Sequence, residues 1–322
     1  MKRGVVCFIV MLAVAAALFA AGAPEERSLD LAHVFATDHP VHRGALYAKE
    51  LLEERTDGAL TLRIYSDASY AGYDDAVRSV RAGDLDLAPI DTAMDYYPES
   101  GVLLAPYVFQ DFDHWMAFKN SEVAKELKAD ISEIMGVRYL EFYQFGFRQA
   151  TANVRAETPD DWEDLRLRVV DFAPYPEIAT VLNARPIATP IEEVYMALQT
   201  GVADAQENPF SQILTMHFYE VQDYLILTDH LLATTGIAMA QSTWDSLSSE
   251  EQEIAEEVFT AMANRIDEIV IEEYEEMFQQ LTEVHGMTPV EVDTTPFRDR
   301  VGLVLDKYPE WESLYFQIQE LY

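Results

Sequence analysis

Arginine is scarce in this chain, so the arginines that stand in structured-looking contexts carry the first chemical signal. The sequence holds 22 Lys and Arg against 57 Asp and Glu. Arg148 follows Phe145-Gly146-Phe147, and Arg168 sits within Leu165-Arg166-Leu167-Arg168-Val169-Val170. On a strand, Leu165, Leu167 and Val169 share one face while Arg166 and Arg168 share the other, so Arg168 can project into a cleft. A guanidinium meets a carboxylate with two parallel charge-assisted hydrogen bonds, a geometry lysine cannot reproduce. The competing use is a surface salt bridge to Asp160, Asp161, Glu163 or Asp164, and sequence alone leaves both open. Asn208-Pro209 has two readings as well. Proline suits the first helical position and asparagine the cap, so a helix is expected over 210–216 with donors facing an anion. The Asn208 amide would be either a ligand contact or consumed by capping.

Other chemistries find little support. No nucleophile elbow, glycine-rich phosphate loop or zinc-binding helix motif occurs. His39 and His42 are three residues apart, but Pro40 is expected to break the local helix, and two imidazoles do not make a zinc site. Carboxylates are so abundant that choosing two as a glycosidase pair would be arbitrary. The single cysteine, Cys7, lies in the apolar N-terminal run, which leaves no thiol beyond that run for a disulfide, a thiolate metal site or a nucleophile. No cofactor and no metal are expected.

The elements that must position these residues follow from periodicity. Leu29–Phe35, 60–65 and 85–90 read as strands, with helices over 42–55 and 74–82 between and after them. Gly83 closes the second helix. Helices are expected over 111–120 and 121–135, then a strand over 137–143 halted abruptly at Gly146. A second region repeats the rhythm: a strand at 165–170, helices at 176–182 and 190–199, and a strand at 224–228. Alternating strands and helices predict an α/β fold with parallel strands and covering helices. From Ser248 to His285, Ile254, Val258, Met262, Ile266, Val270, Met277, Leu281 and Val284 form an apolar stripe on one long helix. Ser248 with Glu251 makes a capping box, and Gly286 a stop.

Composition bounds the rest. A chain of 322 residues with 49% hydrophobic and 11% aromatic residues can bury a substantial core and has room for two domains. A net charge of −35 excludes a general nucleic-acid binder and disfavours an anionic membrane surface. Such an acid excess suits high salt, where the screening length falls to about 3 Å at 1 M. Residues 1–23 have a basic start, an apolar run and small residues at 20–23. They read as an export signal whose removal leaves an exported protein without a membrane span.

The ordered motifs also resemble a known family. They are Thr56-Asp57-Gly58, Gly83–Asp86, Pro106–Phe109, Gly146-Phe147-Arg148, Leu165–Val169, Glu193–Gly201, Asp204–Pro209, Phe218–Gln222 and Tyr224–His230. Together they resemble a DctP-type solute-binding protein of the tripartite ATP-independent periplasmic (TRAP) transporters, across essentially the whole chain after the signal. The resemblance implies a two-lobed periplasmic binding protein fold, with a ligand cleft between the lobes and a long bridging helix. It divides the chain into lobe 1 (24–145 plus 234–273) and lobe 2 (146–233 plus 274–322). It implies a periplasmic, monomeric, non-enzymatic protein that hands a small organic acid to TRAP membrane permease subunits. Arg168 matches the arginine pairing with the ligand carboxylate, Arg148 a second arginine there, and Asn208 the asparagine contacting the same group. Asp91, Ile191, Tyr73 and His33 are also implied to face the ligand. Departures are Ala71-Gly72 for the usual Leu-Gly, Asp204-Ala205 for Asp-Gly, and Ile191 where phenylalanine is common. Met94 stands where sialic-acid binders carry arginine, which weakens sialic acid. An acid at Asp91 would repel a second carboxylate and accept bonds from hydroxyls, favouring a sugar acid over a C4-dicarboxylate. The alternatives are an exported acidic hydrolase or lyase, and an ABC-type binding protein.

Overall fold

The computed structural model describes residues 27–322 apart from Thr92 and Asp171; the expected export signal lies outside the described residues. Nine strands join one sheet: β1 (Arg27–Ala32), β2 (Leu60–Tyr65), β3 (Leu87–Pro89), β4 (Val137–Ala152), β5 (Arg166–Val169), β6 (Arg185–Ala188), β7 (Ala205–Pro209), β8 (Tyr224–Ala240) and β9 (Thr288–Glu291). Their order is β2-β1-β3-β8-β4-β7-β5-β6, with β9 beside β8. β1, β2 and β3 are parallel at one end, as are β5, β6 and β7 at the other. β4 and β8 run antiparallel through the middle and belong to both ends.

Two expectations are corrected at this junction. The strand expected to stop at Gly146 continues to Ala152, and the strand expected to end at Thr228 continues to Ala240. Val137 to Gln144 pair with Ala240 to Thr234, and Phe147 to Ala152 pair with Leu232 to Tyr224. A register shift between Gln144 and Phe147 separates the two blocks. Gly146 sits inside it at φ 114°, a conformation that side chains resist, with Pro209 Cβ 3.3 Å from where its own Cβ would be. The glycine therefore marks a bulge in a continuing strand, not an end.

The long helix spans Ser249–Gln279 and passes through a π-turn at Gln280–Val284 before Gly286. Its capping box forms as expected: Glu251 N–H donates to Ser248 Oγ at 3.2 Å and Ser248 N–H to Glu251 at 2.7 Å. The stripe residues Val258, Met262, Ile266 and Val270 are buried where the long helix packs on β4, β8 and the helix Pro40–Arg55. Contact with that helix is close at Gly44, where a Cβ would lie 2.3 Å from Ile266 Cγ1. Asp267 ties the long helix to the strand junction. Its carboxylate accepts from Gln144 N–H at 2.9 Å and from the buried Lys119 Nζ at 2.5 Å.

Pro40 begins the helix Pro40–Arg55 instead of breaking it, because a ring at the first helical position removes only an N–H that has no partner there. His39 caps this helix, its Nδ1 accepting from Val41 N–H at 3.2 Å. Of the segment expected to be helical over 190–199, Ile191–Glu193 is a single 3-10 turn and Val194–Gln199 is α-helical. No helix among the described residues is long and apolar enough to cross a membrane.

Candidate functional site

Where the parallel ends of the sheet face each other, a cavity of about 340 Å³ opens. Its wall includes His33, Tyr73, Asp91, Arg148, Arg168, Ile191 and Asn208, which are far apart in sequence. His33 follows β1, Tyr73 starts a helix, Asp91 follows β3, and Arg148, Arg168 and Asn208 lie on β4, β5 and β7. Ligand sites of α/β sheets commonly form beyond such strand ends. Phe145, Phe172, Tyr175 and Gln212 complete much of the lining and were not anticipated.

Arg168 is buried and makes none of the surface salt bridges that competed for it. Its Nε donates to the Thr189 carbonyl at 2.8 Å, and Nη2 donates to the same oxygen. Nη1 is buried without a hydrogen-bond partner. The nearby surface pairs are formed by other arginines: Arg166 with Asp204 and Arg185 with Asp164. Burial pushes the Arg168 guanidinium down to about 10, against the pull of the Glu207 carboxylate and with the added repulsion of Arg148.

Arg148 is differently employed. Its Nε and Nη2 donate to the Glu207 carboxylate, and Nη2 also donates to the Glu207 carbonyl at 2.8 Å and Asn208 Oδ1 at 3.1 Å. Its guanidinium lies 5.1 Å from the centre of the Tyr175 ring. Burial would lower the Arg148 pKa, but Glu207 more than restores it. On Glu207 burial pushes the carboxyl up, yet the Arg148 charge and the hydrogen bond from His230 hold it at about 2. His230 Nε2 stands 3.0 Å from Glu207, and its Nδ1 is 2.8 Å from Thr228 Oγ1. Arg148 is thus a compensated cation and Arg168 an uncompensated one.

Asn208 does not cap a helix. It is the penultimate residue of β7, opposite Gln149, and the short helix Phe210–Thr215 starts after Pro209 with no side-chain cap. Its amide nitrogen donates to Gln206 Oε1 at 2.6 Å, while its oxygen accepts from Arg148. The extended backbone holds the side chain among Arg148 and Gln206, where a helix cap would have turned it onto its own backbone.

In the same wall, Asp91 N–H donates to Tyr73 Oη at 2.7 Å. Burial pushes the Asp91 carboxyl up to about 6, the Thr235 hydroxyl and the Arg148 charge pulling the other way. His33 is buried with Nδ1 accepting from Phe35 N–H at 3.2 Å, and its Nε2 stands 3.1 Å from His42 Nδ1. His39 instead stacks on Phe35 at 4.4 Å, so His39 and His42 do not converge on one point. Among the described residues no group of three or more His, Cys, Asp or Glu is arranged to hold a metal ion.

The cavity therefore brings the buried donors of Arg148, Arg168 and Asn208 and the Asp91 carboxyl into one wall. The profile of the DctP family, bacterial extracellular solute-binding protein family 7, matches residues 31–310. The chain belongs to the DctP family. A solute-binding protein of Roseobacter denitrificans is 28% identical over 88% of each chain. Its crystal structure with bound L-galactonate superposes with a TM-score of 0.84 at 26% identity, covering 91% of this chain and all of that one. A TRAP periplasmic solute-binding protein of Haemophilus influenzae with bound L-gulonate gives 0.86 at 26% identity, covering 92% and 99%. The sialic acid-binding periplasmic protein SiaP of Vibrio cholerae is 27% identical over 84% of each chain. DctP-family proteins are solute-binding subunits of TRAP transporters, and this protein has their two-lobed fold with the long helix in place.

Glu207 and His230, which stand behind Arg148, were missed by sequence reasoning, as were the lining residues Phe145, Phe172, Tyr175 and Gln212. Glu207 was in view within Gln206-Glu207-Asn208-Pro209, but one carboxylate among so many gave no reason to pair it with Arg148.

Proposed function

We propose that this protein binds a hydroxylated monocarboxylate, a sugar acid of about six carbons, and passes it unchanged to TRAP membrane permease subunits. The observation that carries this reading is the buried Arg168, whose Nη1 has no partner in the wall of the cavity. A buried cation with free donors gains most from an anion that supplies both charge and two acceptor oxygens. Asn208 and Arg148 flank that position, and the half-buried Asp91 accepts from hydroxyls. The same Asp91 disfavours a second carboxylate. Sugar acids bound to the Roseobacter and Haemophilus relatives support the same ligand class.

The proposed cycle requires lobes 24–145 plus 234–273 and 146–233 plus 274–322 to close over the solute. The register shift between Gln144 and Phe147 and the crossing of β8 lie at those boundaries, which supports them as the pivot. Export to the periplasm and action as a monomer complete the reading. Calorimetry against L-gulonate, L-galactonate, D-glucuronate, malate and succinate tests it. A sugar acid should bind most tightly and be recovered unaltered. Tight binding of succinate with none of the sugar acids, or turnover of a bound acid, would overturn it.

A further inference from the structure

Beside the ligand cavity lies a second, solvent-open chamber of about 290 Å³, and Tyr73, Asp74, Arg78 and Phe172 belong to the walls of both. Tyr73 and Phe172 stack with ring centres 5.4 Å apart and planes within 8°. They approach from different parts of the fold. Tyr73 starts the helix Tyr73–Ala82, and Phe172 lies in the irregular segment between β5 and the helix Pro176–Leu182. Each ring is held from behind. Tyr73 Oη accepts from Asp91 N–H, and the Phe172 ring meets Tyr175 edge-on at 5.1 Å. Tyr175 in turn lies beside the Arg148 guanidinium. The stacked pair is thus braced against Asp91 and Arg148 of the ligand cavity.

The chamber beyond the pair has its own chemistry. Asp74 and Asp95 bring carboxylates to it, Tyr96 a phenol ring, and Arg78 is paired with Asp75 at 2.6 Å. The Arg81 guanidinium lies 3.8 Å from the centre of the Tyr96 ring and its Nε donates to the Met135 carbonyl, so the wall carries Asp74 and Asp95 against Arg78, with Arg81 at its edge. The two carboxylates accept from hydroxyls and disfavour a second anion beside them. We propose that the stacked Tyr73–Phe172 pair is the wall that sets ligand length, and that the chamber behind it is a subsite for the uncharged, hydroxylated far end of a longer sugar acid. Phe172 is the movable half, because it stands on irregular backbone while Tyr73 is fixed by a helix start. The inference rests on the sugar-acid reading of the first cavity.

The test compares L-gulonate with lactobionate, a six-carbon acid carrying a neutral sugar ring, by calorimetry on the full chain. Wild type should prefer L-gulonate by roughly a hundredfold, the upper range for steric rejection by an apolar wall. Phe172→Ala should move the ratio of the two affinities towards lactobionate by at least about tenfold, and Phe172→Leu should move it less. Adding Asp95→Asn to Phe172→Ala should weaken lactobionate and leave L-gulonate as it was. An unmoved ratio in both Phe172 variants overturns the wall, as does equal affinity of wild type for the two acids. A lactobionate gain indifferent to Asp95→Asn overturns the subsite. Wild type that binds no sugar acid overturns the underlying reading and this inference with it, which separates the two failures.

Discussion

Arg168 gives two of its nitrogens to one oxygen, the Thr189 carbonyl, with Nε at 2.8 Å. That contact fixes the plane of the guanidinium from behind and leaves Nη1 for something else. A planar fork held in this way is preorganised, so little side-chain freedom remains to be lost when a carboxylate arrives. Arg168→Ala should therefore weaken binding of the preferred acid by about 2–5 kcal/mol, the cost of truncating one member of a buried charged pair. The fold should survive, because among the described residues no carboxylate forms a salt bridge with this cation. Calorimetry and circular dichroism on the same preparation check both halves, and near-normal affinity would refute the assignment.

Arg148 should behave in the opposite way. Its side chain and that of Glu207 are both buried and bonded to each other. Removing the guanidinium leaves a buried carboxylate with the His230 ring as its remaining side-chain partner, and breaking such a pair costs about 3–5 kcal/mol. Arg148→Ala should thus lower stability more than Arg168→Ala does. Adding Glu207→Gln should return part of the loss, which a double-mutant cycle by urea denaturation would measure. Additive losses from the two substitutions would show that the pair is not coupled.

Asp91 makes ligand selection depend on pH. With its carboxyl pushed up to about 6 by burial, it is charged at pH 7.5 and mostly neutral at pH 5. The charged form repels a second ligand carboxylate, so a dicarboxylate sugar such as glucarate should bind relatively better at pH 5. Lactone-free gluconate, with one carboxylate, provides the reference. Asp91→Asn should remove most of the difference between the two pH values. A glucarate-to-gluconate ratio with the same pH dependence in wild type and variant would place Asp91 outside the site.

Two buried histidines, His33 after β1 and His39 at the cap of the helix Pro40–Arg55, should contribute to acid sensitivity. Burial lowers His39 from 6.5 to about 3, and burial with the neighbouring His42 lowers His33 from 6.5 to about 4. Between pH 6.5 and 4 the unfolded chain takes up these protons and the folded chain does not, so stability falls as pH falls through that window. Asp91 acts with the opposite sign, since its folded form takes its proton first, while Glu207, held at about 2 in the folded state, adds to the loss towards the acid end of the window as its unfolded carboxyl takes up a proton. His39→Asn keeps a capping side chain and removes one of the two titrations. Its stability should fall less steeply than wild type, by about 1.4 kcal/mol per pH unit between pH 6 and 4. Equal slopes in denaturation series would refute the role of His39.

Sequence periodicity reached the elements whose signals are local. Leu60–Tyr65 alternates cleanly, and the helix ending at Ala82 carries its stop in Gly83 at φ 81°. It failed where one element serves two halves of the molecule. β4 and β8 each look like a short strand plus something else, because the register shift near Gly146 interrupts the pattern without ending the pairing. Arg166 and Arg168 alternate with apolar residues on β5, which was legible as a strand, but alternation left the partner of Arg168 open, and its ligand role rested on the family resemblance. Arg148 was legible as a residue but not as a role, since its partner Glu207 arrives from β7 and His230 from β8, and no spacing along the chain encodes that meeting. Of the two uses left open for Asn208, capping fails for the same reason: Pro209 suits a helix start, but pairing with β4 holds the backbone extended through it.

Net charge leads to a prediction about salt. The chain carries −35, and the cation that stands ready for the ligand is enclosed within the cavity. At long range an anionic solute meets a repelling protein, whereas at contact it meets Arg168. Salt weakens the first interaction far more than the second, because screening acts through water and hardly reaches a desolvated pair. Between about 0.1 M and 1 M NaCl the screening length falls from about 10 Å to about 3 Å. Association of a sugar acid should hold steady or quicken over that range, and the melting temperature should rise as repulsion among surface carboxylates fades. A solute drawn to a positive protein would show the reverse, with association slowing as salt rises. Stopped-flow binding and thermal melts across one salt series would decide between them, and slower association with lower stability at 1 M would refute the repulsion argument.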